Sequence, residues 1–579
     1  MTRPRAIVIG SGFGGAVSAC RLAQAGFAVQ VLERGRRYDA EGAHGFPRKV
    51  GDDWLWGTSR GLFEIMLISQ MQVVQSAGYG GGSLIYANVH LRLPEEAFVG
   101  FPAGYSRAAL DPYYDLVAHM LEIRPITDSQ LGVPPKARAL RAAAEGLGRG
   151  AQFFHPPLAV HFSPEPGLRE NRHGVAQSAC THCGECSIGC PVRAKNTLDL
   201  NYLALAERAG AEMLTEHEVL RIEPLGAEGS PLYRVHYRDL RGEEEPRFLE
   251  AEHVFVCAGA IHSTALLLRS REALPRLSAR IGERYSGNGD MLAFAYETRE
   301  PFEPAAGPTI TGALLHDDQG ADGLGWFLLQ EGGFPRQLWP LVAVSKPVMS
   351  WFTGRSSEEG VPGAEAAAPT REEIDEAYRR AAESVKRPEA DPSLETVPFL
   401  ADDAEVARTA VFLGMGRDLA NGRIELSSSG ALRLVWDTPS NRPLYDRQER
   451  LGRDVARQLG GIHATTPFWR FFKTPTTVHN LGGCPMGDDV SQGVTSEIGE
   501  VFNYPNLFVM DGALLPGATG VNPAHTIAAV AERNLERIIR RVTGDPRWAP
   551  PERAATRPFI DPLSLVRVLP GGTRPLTSG

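Results

Sequence analysis

A glycine pattern close to the N-terminus has the spacing that holds the pyrophosphate of a dinucleotide. Gly10, Gly12 and Gly15 follow the order Gly-x-Gly-x-x-Gly. The first glycine allows a tight turn, the second lets the backbone approach a pyrophosphate, and the third lets helix and strand pack closely. The free N–H groups and positive dipole end of the following helix attract phosphates. We therefore predict a dinucleotide-binding turn, with a ligand-free glycine-rich turn as the alternative.

The residues around this turn predict the strand–helix–strand unit that the pattern requires. The apolar run 6–9 is typical of a buried strand, 16–24 is compatible with a helix, and 28–32 reads as a second strand. Glu33 follows that second strand, where a carboxylate is placed to accept hydrogen bonds from a ribose hydroxyl. The pattern does not distinguish NAD from FAD, so other segments must decide.

A cysteine run lies in polar, loop-like sequence in the first half of the chain. Its members, spaced as in ferredoxins that bind a 4Fe–4S iron–sulfur cluster, are Cys180, Cys183, Cys186 and Cys190. A complete cluster requires the last of them to bend back, or a remote ligand from Cys20, Cys257 or Cys484. The alternatives are a zinc or disulfide staple and cysteines that only pack. His182 lies inside the run, and we expect it to be exposed and not a ligand.

Two segments near the C-terminal end carry the most specific pattern. Residues 478–487 read Val-His-Asn-Leu-Gly-Gly-Cys-Pro-Met-Gly, and residues 509–523 contain Asp-Gly and then Gly-Val-Asn-Pro. Ala-Glu-Arg-Asn follows at 531–534. Together with the N-terminal turn and the glycine-rich segment 78–88, these segments resemble the glucose–methanol–choline (GMC) oxidoreductase family, and within it the bacterial cholesterol oxidase-like group. Residues 300–475 fit that resemblance only loosely.

The resemblance implies that His479 and Asn522 face the ring of a bound flavin across the substrate carbinol. Oxidising an alcohol removes a proton from oxygen and a hydride from carbon. A histidine, with an unperturbed pKa of about 6.5, suits the proton. The flavin takes the hydride, and an asparagine amide can donate to the substrate oxygen and orient it. His525 does not match the position of the family base, so we expect it to pack or to lie on the surface.

The same resemblance implies FAD as cofactor. The residues expected to contact it are Gly10, Gly12, Gly15, Glu33, Gly82, Asn88, Val219, Gly512 and Asn522. Of these, Gly82 is expected near the flavin and Val219 near the adenine. Residues 86–88 read Tyr-Ala-Asn where the cholesterol oxidases have Asn-Gly-Gly, and Asn88 is expected to compensate.

Cholesterol oxidase-like enzymes also place a carboxylate near the substrate. Glu331 and Glu405 are the candidates by position. Neither lies in a recognisable motif, so we expect each to be an ordinary surface acid.

Composition excludes some classes of protein. The 579 residues include 69 acidic and 60 basic side chains, for a formal net charge of −9. A nucleic-acid binder would need a basic field instead. No run of about 18 apolar residues appears, so we expect no transmembrane segment. The first apolar run is too short for a signal peptide, so we expect a cytoplasmic protein, with transient membrane contact open for an apolar substrate.

We predict an α/β protein (α+β overall). A Rossmann-type FAD-binding domain with a parallel sheet is followed by a mostly antiparallel substrate-binding domain. The predicted FAD-binding domain is discontinuous, covering 1–110, 195–300 and 475–545. The other predicted units are an insertion with the Cys-rich loop at 111–194, the substrate-binding domain at 301–474 and an extended C-terminal tail at 546–579.

Several individual elements follow from composition and periodicity. Strands are predicted at 254–258 and 506–510 and within 212–222, and a helix at 526–541. Residues 354–370, rich in Gly, Ala, Glu and Pro, predict a flexible insertion, and 372–384 an exposed helix.

The function predicted from these features is FAD-dependent oxidation of the CH–OH group of a bulky apolar alcohol, most closely a sterol. Oxygen or an electron carrier would be the acceptor. One alternative is a family dehydrogenase for another hydrophobic alcohol that passes electrons through an iron–sulfur cluster. Another is an electron-transfer flavoprotein subunit whose partner performs the alcohol chemistry.

Overall fold

The computed structural model describes residues 3–38, 45–47, 54–165, 167–226, 231–242, 245–318, 322–338 and 403–566. The predicted insertion at 354–370 and helix at 372–384 lie outside these described residues. Among the helices that are described, none is both long and apolar enough to cross a membrane.

A five-stranded parallel sheet forms the centre of the cofactor-binding part. Its strands, in spatial order, are Leu507–Val509, His253–Val256, Arg5–Ile9, Ala28–Glu33 and Glu212–Thr215. Every residue of the first two is buried, as expected for a parallel sheet covered on both faces. The predicted Rossmann-type sheet is therefore confirmed. The stretch 212–222 holds two strands, because the chain leaves this sheet after Thr215 and continues as His217–Pro224 in a separate sheet.

Two helices pack together beside the parallel sheet and join the ends of the chain. Phe13–Gln24 follows the glycine turn, and Ala524–Thr543, where the sequence predicted a helix, lies against it. Arg21 and Glu532 form an ion pair at 2.6 Å between these helices, and neither side chain is exposed. Removing one partner of such a pair strongly destabilises the folded protein, because the remaining charge is buried without a counterion.

A six-stranded antiparallel sheet forms the second large layer. Its strands, in spatial order, are Ile462–Thr465, Met291–Tyr296, Ala410–Gly416, Trp326–Gly332, Ala313–Asp317 and Phe153–Phe154. This confirms an antiparallel part beside the Rossmann-type part. The sheet takes strands from both sides of the predicted domain boundary at residue 301. Met291–Tyr296, which precedes that boundary, even occupies an interior position in the sheet. The division into domains stays a prediction.

Smaller sheets position the segments around the candidate site. Phe63–Ile68 and Met71–Ser76 form a hairpin, and Thr476–Thr477, which ends two residues before His479, adds to it in parallel. The remaining strands are His217–Pro224, Tyr233–Asp239 and Arg247–Ala251 in one sheet, and the pairs Arg423–Leu426 with Leu432–Val435 and Arg169–Glu170 with Ala176–Gln177.

The other α-helices surround these sheets. They are Trp56–Ser59, Arg107–Met120, Pro135–Gly146, Tyr202–Arg208, Ala260–Arg269, Asp403–Ala407, Thr438–Gln458 and Pro467–Phe472.

The described part of the C-terminal tail differs from the extended segment that was predicted. It forms 3₁₀ turns at Pro551–Ala555 and Pro562–Leu565 and packs against the body of the protein. Glu552 pairs with buried Arg21, and Asp561 pairs with Arg107. A proline starts each turn. The two ion pairs hold the tail against the rest of the protein, and composition alone does not reveal such contacts.

Candidate active site

The glycine turn has the close packing that its spacing predicts. Gly10 has a φ of 96°, and a Cβ there would lie 2.4 Å from the Cys257 carbonyl oxygen. A Cβ on Gly15 would lie 2.0 Å from the Gly10 carbonyl oxygen. Gly12 differs, because a Cβ there would meet no atom within 4 Å. The middle glycine therefore borders free space, where a pyrophosphate has room to approach the backbone.

Glu33 lies at the end of its strand, as predicted, but its carboxylate already binds the chain. Ser11 donates to Oε2 through its backbone N–H at 3.0 Å and its hydroxyl at 2.7 Å, and the Gly35 N–H donates to Oε1 at 2.8 Å. Burial raises the pKa of Glu33, and these three hydrogen bonds oppose that rise. Oε1 keeps one lone pair for a further donor, so the contact with a ribose stays a prediction.

The glycine-rich segment 78–88 lies directly against the dinucleotide turn. A Cβ on Gly81 would come within 2.6 Å of Gly12 Cα, whereas one on Gly82 would meet nothing within 4 Å. Asn88 is fully buried in a left-handed conformation with a φ of 66°. Neither its Oδ1 nor its Nδ2 has a hydrogen-bond partner within the described residues. A buried amide without partners costs about 1–3 kcal/mol.

These features fit a bound flavin nucleotide. The free space beside Gly12 and Gly82 gives the backbone room to approach a ligand, and the unpartnered amide of Asn88 provides a donor and an acceptor for it. Gly512 lies in a 3₁₀ turn after the strand Leu507–Val509, and Val219 lies in the neighbouring three-stranded sheet. The individual contacts of these residues stay predictions.

Asp511 is a residue of this region to which the sequence assigned no role. Its Oδ2 accepts hydrogen bonds from the Gly259 N–H at 2.7 Å and the Ser263 hydroxyl at 2.6 Å, and Oδ1 accepts from the Ala513 N–H at 2.9 Å. It thereby fixes the N-terminus of helix Ala260–Arg269 to the end of the strand Leu507–Val509. The Asp-Gly motif contained this residue, but no sequence pattern named its partners.

His479 forms a hydrogen-bonded pair with a buried carboxylate. Its Nδ1 lies 2.9 Å from Oδ1 of Asp290, which is fully buried, while the imidazole is 15% exposed. The other oxygen, Oδ2, accepts from the Val478 N–H at 3.0 Å. Since a carboxylate only accepts, Nδ1 carries the proton and Nε2 is free to accept one. His479 therefore has the tautomer of a general base.

The segment 286–290 ties both predicted catalytic segments together. Ser286 exchanges two backbone hydrogen bonds with Leu481, each 3.0 Å long, two residues after His479. Asn288 Oδ1 accepts from the N–H groups of Thr519 at 3.0 Å and Gly520 at 2.8 Å. The Asn288 amide also donates to the Val521 carbonyl, directly before Asn522. The structure thus attaches the segments of His479 and Asn522 to one short turn.

The two carboxylate candidates lie in different surroundings. Glu405 is exposed, as expected. The expectation that Glu331 is a surface acid is wrong, because it is fully buried. Its Oε1 accepts from the Thr311 N–H at 2.6 Å, and its Oε2 lies 3.6 Å from Lys136 Nζ. These partners are far away along the chain, so the sequence could not indicate its burial.

His525 packs inside the protein, which is one of the two alternatives that we expected. It is fully buried between the rings of His90 and Tyr114, at centroid distances of 5.3 and 4.9 Å. Burial lowers the pKa of His525 to about 3. The neutral ring has a single N–H, and its nitrogens face the backbone carbonyls of Tyr114 at 2.9 Å and His90 at 3.3 Å.

The cysteine run packs against the glycine-rich segment. The turn Cys186–Ile188 contacts Gly81–Leu84, and the buried Lys195 ammonium joins them by donating to the carbonyls of Cys186 at 2.8 Å and Leu84 at 3.0 Å. Burial raises the pKa of Cys190 to about 11 and also raises that of Cys180. Such thiols are protonated at neutral pH.

Within the described residues, no three His, Cys, Asp or Glu side chains are placed to hold a metal ion. The remote cysteines Cys20, Cys257 and Cys484 are each buried as free thiols. His182 is half-buried and not exposed, because its Nε2 lies 2.8 Å from the Ser129 hydroxyl. The spacing of the run suggests a cluster, but the part of the chain that the structure describes shows no metal site.

Family models support the resemblance seen in the motifs. Two models described as GMC oxidoreductase match residues 165–283 and 365–531. A third, described as an NAD(P)-binding Rossmann-like domain, matches residues 8–65.

Several relatives match nearly the whole chain. A cholesterol oxidase of Acinetobacter baumannii is 28% identical over 608 residues, covering 97% of this chain and 98% of the relative. A cholesterol oxidase of Mycobacterium tuberculosis is also 28% identical, covering 91% of this chain and 89% of the relative. A long-chain-alcohol oxidase of Arabidopsis thaliana is 23% identical, covering 91% of this chain and 66% of the relative.

Solved structures share the fold at lower identity. A pyridoxine 4-oxidase from Mesorbium loti is 15% identical with a TM-score of 0.57, covering 92% of this chain and 99% of that one. A fungal aryl-alcohol oxidase is 16% identical with a TM-score of 0.56, covering 94% of this chain and 100% of that one. The motifs, the family models and the full-length relatives agree: the chain carries both GMC oxidoreductase domains and is an FAD-dependent oxidoreductase of alcohols.

Proposed function

We propose that the protein oxidises the CH–OH group of a bulky apolar alcohol, with a sterol as the favoured substrate class. The observation that carries this proposal is the pairing of His479 with Asp290 on the same short turn that holds the segment of Asn522. A base and an amide donor attached to one turn can act on the same alcohol, the base on the hydroxyl proton and the donor on the hydroxyl oxygen.

His479 acts as the base that removes the hydroxyl proton. Its Nε2 accepts the proton while Nδ1 stays bonded to Asp290. The buried carboxylate then stabilises the imidazolium, because a charge-assisted hydrogen bond is stronger than a neutral one. Asn522 donates to the alcohol oxygen as that oxygen loses its proton.

FAD supplies the hydride acceptor when it is bound. The residues proposed to hold it are those around the free space at Gly12 and Gly82, with the amide of Asn88 and the carboxylate of Glu33. The open glycines leave the backbone free to approach the cofactor.

The sterol substrate rests on two supports. The two cholesterol oxidases match this chain along most of its length. In addition, Val521, next to Asn522, belongs to an apolar cluster with Trp326, Leu328 and Met415. Apolar side chains thus surround the neighbour of the proposed amide donor, and such surroundings suit a hydrophobic alcohol better than a sugar.

Oxygen is the proposed electron acceptor, since the full-length relatives are named oxidases. A carrier fed through an iron–sulfur cluster is the second candidate, which the spacing of the cysteine run favours. Iron and sulfide assays on protein purified without oxygen distinguish the two.

The test is anaerobic titration of the flavin-loaded protein with cholesterol and, separately, with a straight-chain primary alcohol. We expect cholesterol to bleach the flavin absorption and air to restore it. Bleaching by the straight-chain alcohol alone would reject the sterol substrate. An unbleached flavin with both alcohols, in protein that contains its full FAD, would reject both sterols and long-chain alcohols as substrates of this chain.

A further inference from the structure

Gln330 forms an amide pair with the proposed catalytic asparagine. It lies in the strand Trp326–Gly332 and is fully buried, while Asn522 is 5% exposed. Gln330 Nε2 donates to Asn522 Oδ1 at 2.9 Å. The return contact, from Asn522 Nδ2 to Gln330 Oε1, is longer at 3.5 Å. The Asn522 carbonyl oxygen is therefore directed towards the strand.

The backbone of Gln330 is held on both sides. Its strand is interior to the antiparallel sheet, and Gln330 lies in register with Leu413 on one neighbour and Ala313 on the other. Successive residues of a strand point to opposite faces. The next side chain, Glu331, accordingly points away from Asn522 to its partner Thr311. A fully buried side chain on such a strand has little room to move away from the side chain that it contacts.

We propose that Gln330 is a positioning residue, which sets the Asn522 amide so that an N–H, and not the C=O, faces the substrate oxygen. This inference rests on the proposed function. With Asn522 Oδ1 bonded to Gln330, at most one of the two Nδ2 protons is used in the long return contact. The other is free for the substrate.

The orientation matters because the substrate oxygen gains negative charge as His479 removes its proton. A fixed N–H directed at developing negative charge stabilises the transition state. A carbonyl oxygen in the same place would repel that charge. An asparagine without a fixed partner can rotate between the two, so the amide pair provides selectivity that Asn522 alone lacks.

Substitutions of Gln330 separate this role from simple packing. Gln330→Glu places a group that only accepts when ionised, so Asn522 must turn its NH₂ towards the strand and its carbonyl towards the substrate. We expect the limiting rate of anaerobic flavin reduction to fall about 100-fold, the loss typical of a misplaced catalytic contact. Acidification should recover part of that loss in this variant alone, because the protonated carboxyl can donate.

Gln330→Met removes both hydrogen bonds without adding a charge, and it replaces Gln330→Glu as the test variant if that protein does not fold. Leu329→Met is the matched control, since Leu329 lies on the same strand and belongs to an apolar cluster on its opposite face. FAD content and thermal midpoint are measured for every variant. A packing role would lower the thermal midpoint without a selective loss of the reduction rate.

A double-variant cycle with Asn522→Ala decides whether Gln330 acts through Asn522. We expect Gln330→Met combined with Asn522→Ala to reduce flavin as slowly as Asn522→Ala alone. If the double variant instead loses the product of the two single-variant losses in reduction rate, the positioning role is overturned and the proposed function stays intact. The same holds if the Gln330 variants reduce flavin within about threefold of the rate of Leu329→Met. A harmless Asn522→Ala would instead overturn the proposed role of Asn522, and the role of Gln330 with it.

Discussion

Replacing Asp290 by asparagine should trap His479 in the wrong tautomer. The Val478 N–H donates to Asp290 Oδ2 at 3.0 Å and cannot turn away. In Asp290→Asn the amide oxygen must therefore face Val478, and the amide NH₂ faces His479 Nδ1. The imidazole then accepts at Nδ1 and carries its proton at Nε2, where it can no longer accept the proton of an alcohol.

The magnitude follows from two contributions. Restoring the productive tautomer leaves buried amide and backbone donors facing each other, which costs about 1–3 kcal/mol. The imidazolium also loses a hydrogen bond to a charged partner, worth about 1.5–3 kcal/mol. Together these give about 2.5–6 kcal/mol, or a loss of about 10²- to 10⁴-fold in the rate of proton removal.

Stopped-flow flavin reduction under anaerobic conditions measures that rate directly. Asp418→Asn is the matched control, because Asp418 is also buried and accepts from the Ser286 hydroxyl and the Gly289 N–H at 2.9 Å each, without contacting the imidazole. We expect this control to stay within about threefold of the unmodified protein. Asp290→Asn protein with full FAD content that reduces its flavin equally fast would refute the tautomer argument.

Three further outcomes follow from the packing around the site. Gly14→Ala should abolish folding or FAD retention, because the added Cβ would lie 1.7 Å from the Met510 carbonyl oxygen; Gly12→Ala should keep its thermal midpoint and lose FAD affinity, as measured by flavin fluorescence. Glu532→Gln should lower the free energy of unfolding in urea by about 3–5 kcal/mol, since it leaves a buried arginine without its full countercharge; a change below about 1 kcal/mol would contradict this. Burial raises the pKa of Asp418 from 3.8 to about 6, so the folded protein binds this proton more tightly than the unfolded chain. Relative to Asp418→Asn, the free energy of unfolding should therefore fall by up to about 3 kcal/mol as pH rises from about 4 to about 6, and a flat or rising difference would argue against it.

The sequence predicted the elements whose signals are local. The glycine turn needs three residues within six positions, and each buried parallel strand is a short apolar run. The Rossmann-type sheet and its flanking helices were found in this way, whereas the segments of His479 and Asn522 were identified by their resemblance to GMC oxidoreductases. The physical requirements of the sheet and helices, close backbone approach and complete burial, leave a pattern within a few residues.

Residues that act through distant contacts left no such pattern. Asp290 is 189 positions from His479, and Gln330 is 192 positions from Asn522. Each is one polar residue in or beside an antiparallel strand, where nothing nearby marks it as functional. The burial of Glu331 was missed for the same reason, because its partner Lys136 precedes it by almost 200 residues.

The turn at 286–290 has a mechanical consequence. It leads directly into Met291–Tyr296, an interior strand of the antiparallel sheet, while its hydrogen bonds hold the segments of His479 and Asn522. If the two large sheets shift relative to each other during substrate entry, the segments of His479 and Asn522 move together, because both are bonded to this turn. The distance between the two side chains then stays constant while the sheets move, so a large substrate can enter without separating the proposed base from the proposed donor.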